Sequence, residues 1–214
     1  KNCKYASFAD LAKEHNITAI PYERKRPKSF REKVLSLQPD LIFVAGWYYF
    51  VSEKLRNIAP LGAIGLHGSL LPKYRGGAPL VWAMINGEKE TGITLFYLDE
   101  GTDTGDVIGQ ERFPIAEDDT IAEVMAKMEK AAVCLIKNYV PKLASGNAPR
   151  IVQDESEATI FPQRCPDDGK IDWAWSPKQI HDFVRAQTRP YPGAYTIIGG
   201  KKVTIWDCSV EVDE

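Results

Sequence analysis

Positive charge is not in excess in this chain. Its 27 Lys and Arg face 29 Asp and Glu, for a net charge of −2 and a pI near 6.0. A nucleic-acid binder draws much of its affinity from cations set against phosphates, so this balance offers no such footprint. No run is long or apolar enough to span a bilayer and no secretory leader opens the sequence, which makes a soluble, cytoplasmic protein the expectation. Cys3, Cys134, Cys165 and Cys208 lack the paired spacing of a metal or redox motif. Free thiols in a reducing compartment are the plain reading, and no metal site is expected. His15 and His181 fall on helical patterns with no motif around them, which leaves His67 as the histidine to follow. An opening strand is lacking too: Lys1-Asn2-Cys3-Lys4-Tyr5 runs straight into a helical pattern. A doubly wound sheet normally begins with a buried strand, so its first strands are expected to precede this sequence.

What is present is an alternation of strands and helices. Residues 40–46 form a continuous apolar run ending in glycine, the pattern of a strand buried on both faces. Residues 61–66 form a weaker run with His67 just past its end. Residues 91–98 are rich in β-branched and aromatic types, with Asp103 in the loop beyond. Ser7 and Asp10 resemble a capping box for a first helix. Residues 29–38 read as a second helix, stopped by Pro39. The strongest helical pattern follows Asp118-Asp119-Thr120, with Ile121, Val124, Met128, Leu135, Tyr139 and Leu143 on one face and Gly146 as the stop. Glu117 to Asp119 serve that helix's cap and dipole rather than a metal. The alternation predicts an α/β fold with a Rossmann-like, doubly wound, mostly parallel sheet over residues 1–146.

The pattern changes after Gly146. Residues 144–157 are short of large apolar side chains and read as a linker leaving the first domain. Ser176-Pro177-Lys178-Gln179 opens a short helix with proline at its first position and glutamine at the box position. Residues 194–198 and 201–206 flank Gly199-Gly200, a two-residue hairpin signal. Residues 147–214 are therefore expected to form a small α+β appendage. Its exposed hairpin edge suits pairing of two copies.

His67 and Asp103 carry the chemistry. Ligands of open α/β sheets bind outside the carboxyl ends of strands, and both residues fall on such loops. An imidazole holds or releases a proton near neutrality, its ordinary pKa being roughly 6.5. A carboxylate orients it, and together they suffice to move a proton during acyl transfer. They stand 36 residues apart, so only the tertiary fold can join them.

The segments Ser69-Leu70-Leu71-Pro72, Arg75-Gly76, Thr91-Gly92-Ile93-Thr94 and Asp103-Thr104-Gly105-Asp106 resemble the 10-formyltetrahydrofolate-dependent formyltransferases. The resemblance runs from Ser7 through the hairpin. It implies 10-formyltetrahydrofolate as co-substrate, with His67 and Asp103 in the catalytic set. It places the folate along residues 98–103, with Leu98, Asp99 and Thr102 as contacts and Leu66 beside them. Trp47 and Tyr48 follow a strand at the same edge, suited either to stacking on a pteridine or to plain packing. The segment from Lys73 to Trp82 looks most like the nucleotide-sugar members, which implies a nucleotide-linked amino sugar as acceptor. Ser69, Lys73, Tyr74 and Arg75 are then the acceptor-binding candidates, Lys73 and Arg75 through a diphosphate. Ser69 lacks a glycine-flanked elbow and is discounted as a nucleophile. Methionyl-tRNA as acceptor is the alternative, against which stand the balanced charge and the short appendage.

The sequence departs from the family at one position. Gly65 stands where the family has an asparagine two residues before the histidine. Losing one oxyanion donor typically costs roughly 10²–10³ in rate. Either another donor serves in its place, or the chain binds folate or nucleotide sugar with impaired turnover.

Overall fold

The computed structural model describes residues 7–23, 25, 27–47 and 49–211. Tyr48 and the opening residues 1–5, both singled out above, lie outside the described residues. In chain order the elements are α1 (Ala9–Glu14), α2 (Pro27–Ser36), β1 (Ile42–Val44), α3 (Glu53–Arg56), β2 (Ala63–His67), β3 (Arg75–Gly76), α4 (Pro79–Ile85), β4 (Glu90–Tyr97), β5 (Val107–Pro114), α5 (Ile121–Ala144), β6 (Ile160–Phe161), α6 (Pro177–Arg185), β7 (Ala194–Ile198) and β8 (Lys201–Ile205).

The α/β expectation holds, with a four-stranded sheet in the order β1-β2-β4-β5 at its centre. β1 and β2 pair in parallel across the α3 crossover, while β2–β4 and β4–β5 pair antiparallel. The second antiparallel pair comes from β5, which periodicity missed. Gly109, Gln110 and Arg112 interrupt its apolar pattern. β1 is also less buried than its composition promised: it forms one edge of this sheet, with Phe43 40% exposed.

Against one sheet face lies α5, whose Leu135 and Leu143 pack on Ile64, Ile93, Leu95 and Ile108. Thr120 and Glu123 close the capping box at its start. A cap contributes about 1 kcal/mol, whereas each large apolar side chain fully buried contributes roughly 1.5–3 kcal/mol. With Ile121, Val124, Leu135 and Leu143 all buried, packing rather than the cap holds this helix in place. The box expected at α1 does not form: Phe8 is the N-cap and makes no side-chain bond to the helix.

The carboxyl-terminal part is built as the sequence indicated. Ser176 and Gln179 cap α6 reciprocally, and Phe183 and Val184 pack against Ile171 and Ala194. Gly199 and Gly200 adopt φ of 56° and 75° between β7 and β8, the pair of left-handed residues that a two-residue hairpin turn requires. Arg185 anchors α6 to the loop ahead of α5, its Nη1 donating to the carbonyls of Ala116 and Asp119 at 3.0 and 2.8 Å.

The stretch read as a linker is pinned along the first unit. Ile151 bridges Val107, Gln153 is buried, and β6 pairs in parallel with β3. Backbone pairing explains this: a strand can dock by its amides and carbonyls without large apolar side chains.

Candidate active site

His67 is the last residue of β2, paired with Thr94 on β4. Because these strands run in opposite directions, their carboxyl ends point apart, and the shared-edge expectation does not by itself bring Asp103 to His67. The loop after β4 folds back to do so. Asp99 starts the return by accepting from the Gly101 amide at 2.9 Å and the Thr104 hydroxyl at 2.7 Å. Gly105 then passes so close to the Tyr97 carbonyl that a Cβ would sit 1.8 Å from its oxygen. Asp103 takes a left-handed φ of 57°, tolerated by a short polar side chain. Its Oδ2 lies 3.5 Å from His67 Nδ1 and accepts the Gly76 amide at 2.8 Å.

The other ring nitrogen is fixed as well. His67 Nε2 lies 2.7 Å from the Tyr74 carbonyl oxygen. A carbonyl only accepts, so Nε2 carries the proton and the Nδ1 edge faces the carboxylate. Gly76 makes this turn possible, with a φ of 92° and the Phe161 carbonyl only 2.4 Å from where a Cβ would be.

The Ser69–Pro72 motif acts as scaffolding for that turn. Thr94 Oγ1 donates to the Ser69 carbonyl at 2.7 Å and accepts from the Leu71 amide at 3.1 Å, while Ser69 Oγ donates to the Lys73 carbonyl at 2.6 Å. Gln110 on β5 donates to both Thr94 Oγ1 and the Leu71 carbonyl.

His67 and Asp103 line a cavity of about 570 Å³. Trp47, Leu66, Leu98, Asp99 and Thr102, the residues assigned to the folate, share its wall. The ring of Trp47 also packs edge-on to Tyr22 at 4.7 Å and to Tyr49 at 5.6 Å. Its Nε1 is the buried side-chain polar atom left without a hydrogen-bond partner among the described residues.

None of the four acceptor-binding candidates lines this cavity. Arg75 is 2% exposed. Its Nη1 and Nη2 donate to Glu155 at 2.8 and 2.6 Å, and its Nε and Nη2 donate to Gln153 at 3.1 and 2.8 Å. The guanidinium is already spent on internal partners and cannot clamp a diphosphate. Glu155 holds the Arg75 pKa above its ordinary value, and Arg75 in turn lowers that of Glu155. Tyr74 turns away, donating its hydroxyl to Glu88 at 2.7 Å, and burial with that bond pushes its pKa from 10.0 up to about 12. Ser69 is fully buried on its own turn. Lys73 is exposed, 3.7 Å from Glu157, and lines a separate depression beside Leu71 and Gln110.

Gly65 lies in the cavity wall, two residues before His67. A Cβ there would meet Leu98 Cδ2 at 3.0 Å and Phe96 Cε1 at 3.4 Å. Leu98 thus occupies the space next to the missing side chain. Gln153 is the residue that sequence reasoning overlooked: it donates to the carbonyls of Asp103 at 2.9 Å and Gly105 at 2.7 Å. No motif announces a lone glutamine in a polar stretch.

An α/β sheet that brings a histidine and a carboxylate together on an apolar cavity defines a framework for proton-assisted group transfer. Residues 6–140 match the family model described as formyl transferase, and residues 165–214 match that of the formyl transferase C-terminal domain; the chain belongs to the formyl transferase family. Among solved structures it is similar to a 4-N formyltransferase from Francisella tularensis, at 26% identity over 96% of this chain and 83% of that one, with a TM-score of 0.77. It is also similar to the methionyl-tRNA formyltransferase from Clostridium thermocellum, at 25% identity over 94% and 86% of the two chains, with a TM-score of 0.72. WlaRD, a sugar 3N-formyl transferase whose structure was determined in the presence of dTDP and 5-N-formyl-THF, shares the fold at 22% identity over 92% and 68% of the chains, with a TM-score of 0.71.

Proposed function

We propose that this protein transfers the formyl group of 10-formyltetrahydrofolate to the amino group of a nucleotide-linked amino sugar. The observation that carries the reading is His67 Nδ1 facing Asp103 Oδ2 at 3.5 Å on the wall of the 570 Å³ cavity. That gap is longer than a hydrogen bond, as catalytic contacts often are before substrate closes them. The apolar walls from Trp47, Leu66 and Leu98 suit a flat pterin, and the loop from Leu98 to Asp103 offers its polar edge. When bound, the folate presents an electrophilic formyl carbon.

The reaction is direct, with no acyl-enzyme, since Ser69 is buried on its own turn. The sugar amine attacks the formyl carbon and gains positive charge as the carbonyl oxygen gains negative charge. Asp103 and His67 take the amine proton, His67 receiving at Nδ1 while its Nε2 stays on the Tyr74 carbonyl. Collapse of the tetrahedral species breaks the bond to N10, which takes that same proton from the His67–Asp103 pair as tetrahydrofolate leaves. A nucleotide sugar is favoured over tRNA because the chain carries a net charge of −2.

A second reading rests on Gly65. With Leu98 packed beside the site of the absent asparagine amide, the chain binds its ligands with little turnover. The deciding experiment follows tetrahydrofolate release from 10-formyltetrahydrofolate with UDP- and dTDP-linked amino sugars, with methionyl-tRNA, and with no acceptor, for the unaltered protein and Gly65→Asn. Sugar-dependent release by the unaltered protein establishes the proposed activity. Release only with methionyl-tRNA replaces the acceptor. Acceptor-independent release with formate marks hydrolysis, and release only by Gly65→Asn establishes the second reading.

A further inference from the structure

The segment between the two family-matched regions, residues 141–164, brings a buried glutamine to the candidate site. Gln153 is 7% exposed. Its Nε2 bridges the carbonyls of Asp103 and Gly105 at 2.9 and 2.7 Å, spanning the part of the loop where Asp103 holds its left-handed φ. Its Oε1 accepts from Arg75 Nε and Nη2, so the amide cannot flip without turning its NH₂ group toward a guanidinium. Arg75 is set in turn by Glu155. Arg75 also lies between the two residues that hold the pair, Tyr74 whose carbonyl meets His67 and Gly76 whose amide meets Asp103. A single tripeptide thus touches His67, Gln153 and Asp103, and the glutamine closes the ring from the opposite side.

We infer that Gln153 is a positioning residue for the reaction, holding Asp103 against His67 through its bond to the Asp103 backbone, with Arg75 and Glu155 fixing its orientation. This rests on the roles proposed for His67 and Asp103. A carboxylate displaced by about 1 Å can cost on the order of 10² in rate while binding is kept. The expected signature is therefore a fall in kcat with little change in the KM for the formyl donor.

The test compares Gln153→Ala and the near-isosteric Gln153→Glu in the unaltered and Asp103→Asn backgrounds. Each is expected to lower kcat by about 10–100-fold in the first background and by less than about 2-fold in the second, since a residue acting through Asp103 adds nothing once that carboxylate is gone. Equal losses in both backgrounds, or a loss that appears in KM, overturn the inference. Nitrogen-15 spectra of the imidazoles provide a readout independent of turnover. The His67 ring signals should shift in both Gln153 variants in the same sense as in Asp103→Asn, with those of His181 unmoved. His67 signals that stay in place in a folded Gln153→Glu protein also overturn it. Absence of transfer by the unaltered protein would instead count against the proposed function, and the spectra would still decide the role of Gln153.

Discussion

His67 Nδ1 and Asp103 Oδ2 face each other at 3.5 Å although the strands that carry them toward the site run antiparallel. The loop between β4 and β5 makes up the difference by turning back on itself at Gly105. Removing either side chain should expose what the pair does. His67→Ala and Asp103→Asn are each expected to lower kcat by roughly 10²–10⁴, the range for loss of a positioned acid or base. Steady-state kinetics at saturating formyl donor check this, and a loss below about 3-fold for both would remove the pair from the mechanism.

Gly65→Asn should fold. The nearest obstacle to a Cβ is the tip of Leu98 at 3.0 Å, which can rotate, with the Phe96 ring edge at 3.4 Å behind it. Overpacking of this kind costs about 1–3 kcal/mol, so the melting temperature should drop by several degrees. Transfer should rise by up to about 10²-fold as an oxyanion donor is added. Calorimetry and turnover measured on one preparation separate the two effects.

Arg75 should prove important for stability and indifferent to the acceptor's diphosphate. Arg75→Met leaves the buried Gln153 amide oxygen facing an apolar chain, and an orphaned buried acceptor costs about 1–3 kcal/mol. Glu155→Gln should change stability far less, because that side chain is 70% exposed and its charge is screened by solvent. Urea titration gives both values. A folded Arg75→Met protein with an unchanged midpoint and a raised KM for nucleotide sugar would restore Arg75 as a phosphate ligand.

Tyr74 should leave a mark on alkaline stability. Its pKa is raised from 10.0 to about 12, so the folded state favours the protonated phenol. That contribution is fully present below pH 10 and is lost as pH climbs through about 12. The melting temperature of the unaltered protein should therefore fall more steeply than that of Tyr74→Phe across this window. Parallel curves would show that burial and the bond to Glu88 do not shift Tyr74 between the folded and unfolded states.

Much of this architecture was legible because local signals agreed with tertiary needs. Asp118-Asp119-Thr120, Ser176 with Gln179, and Gly199-Gly200 each predict a boundary that packing then uses. His67 and Asp103 were legible from their motifs. Their meeting was not, because it depends on a register between β2 and β4 and on a strand, β5, whose apolar pattern is broken by Gly109, Gln110 and Arg112. The burial of Arg75 was not legible for a physical reason: an arginine in a glycine-rich loop looks solvated, and nothing nearby in sequence announces that Gln153 and Glu155 arrive to partner it. Gln153 was invisible on the same ground, since its role consists of two backbone carbonyls about fifty residues earlier in the chain.

The parallel pairing of β3 with β6 sets a limit on modularity. Gly76 and Gly77 sit so close to Phe161 and Gln163 that only glycine fits at either place. Judged by the helix pattern alone, recombination between relatives to exchange the carboxyl-terminal unit would break at Gly146, where the long helix stops. A crossover there would import a foreign strand against the turn that holds His67. Crossovers placed after Gln163 keep the stitch intact, so functional chimaeras should cluster beyond that point.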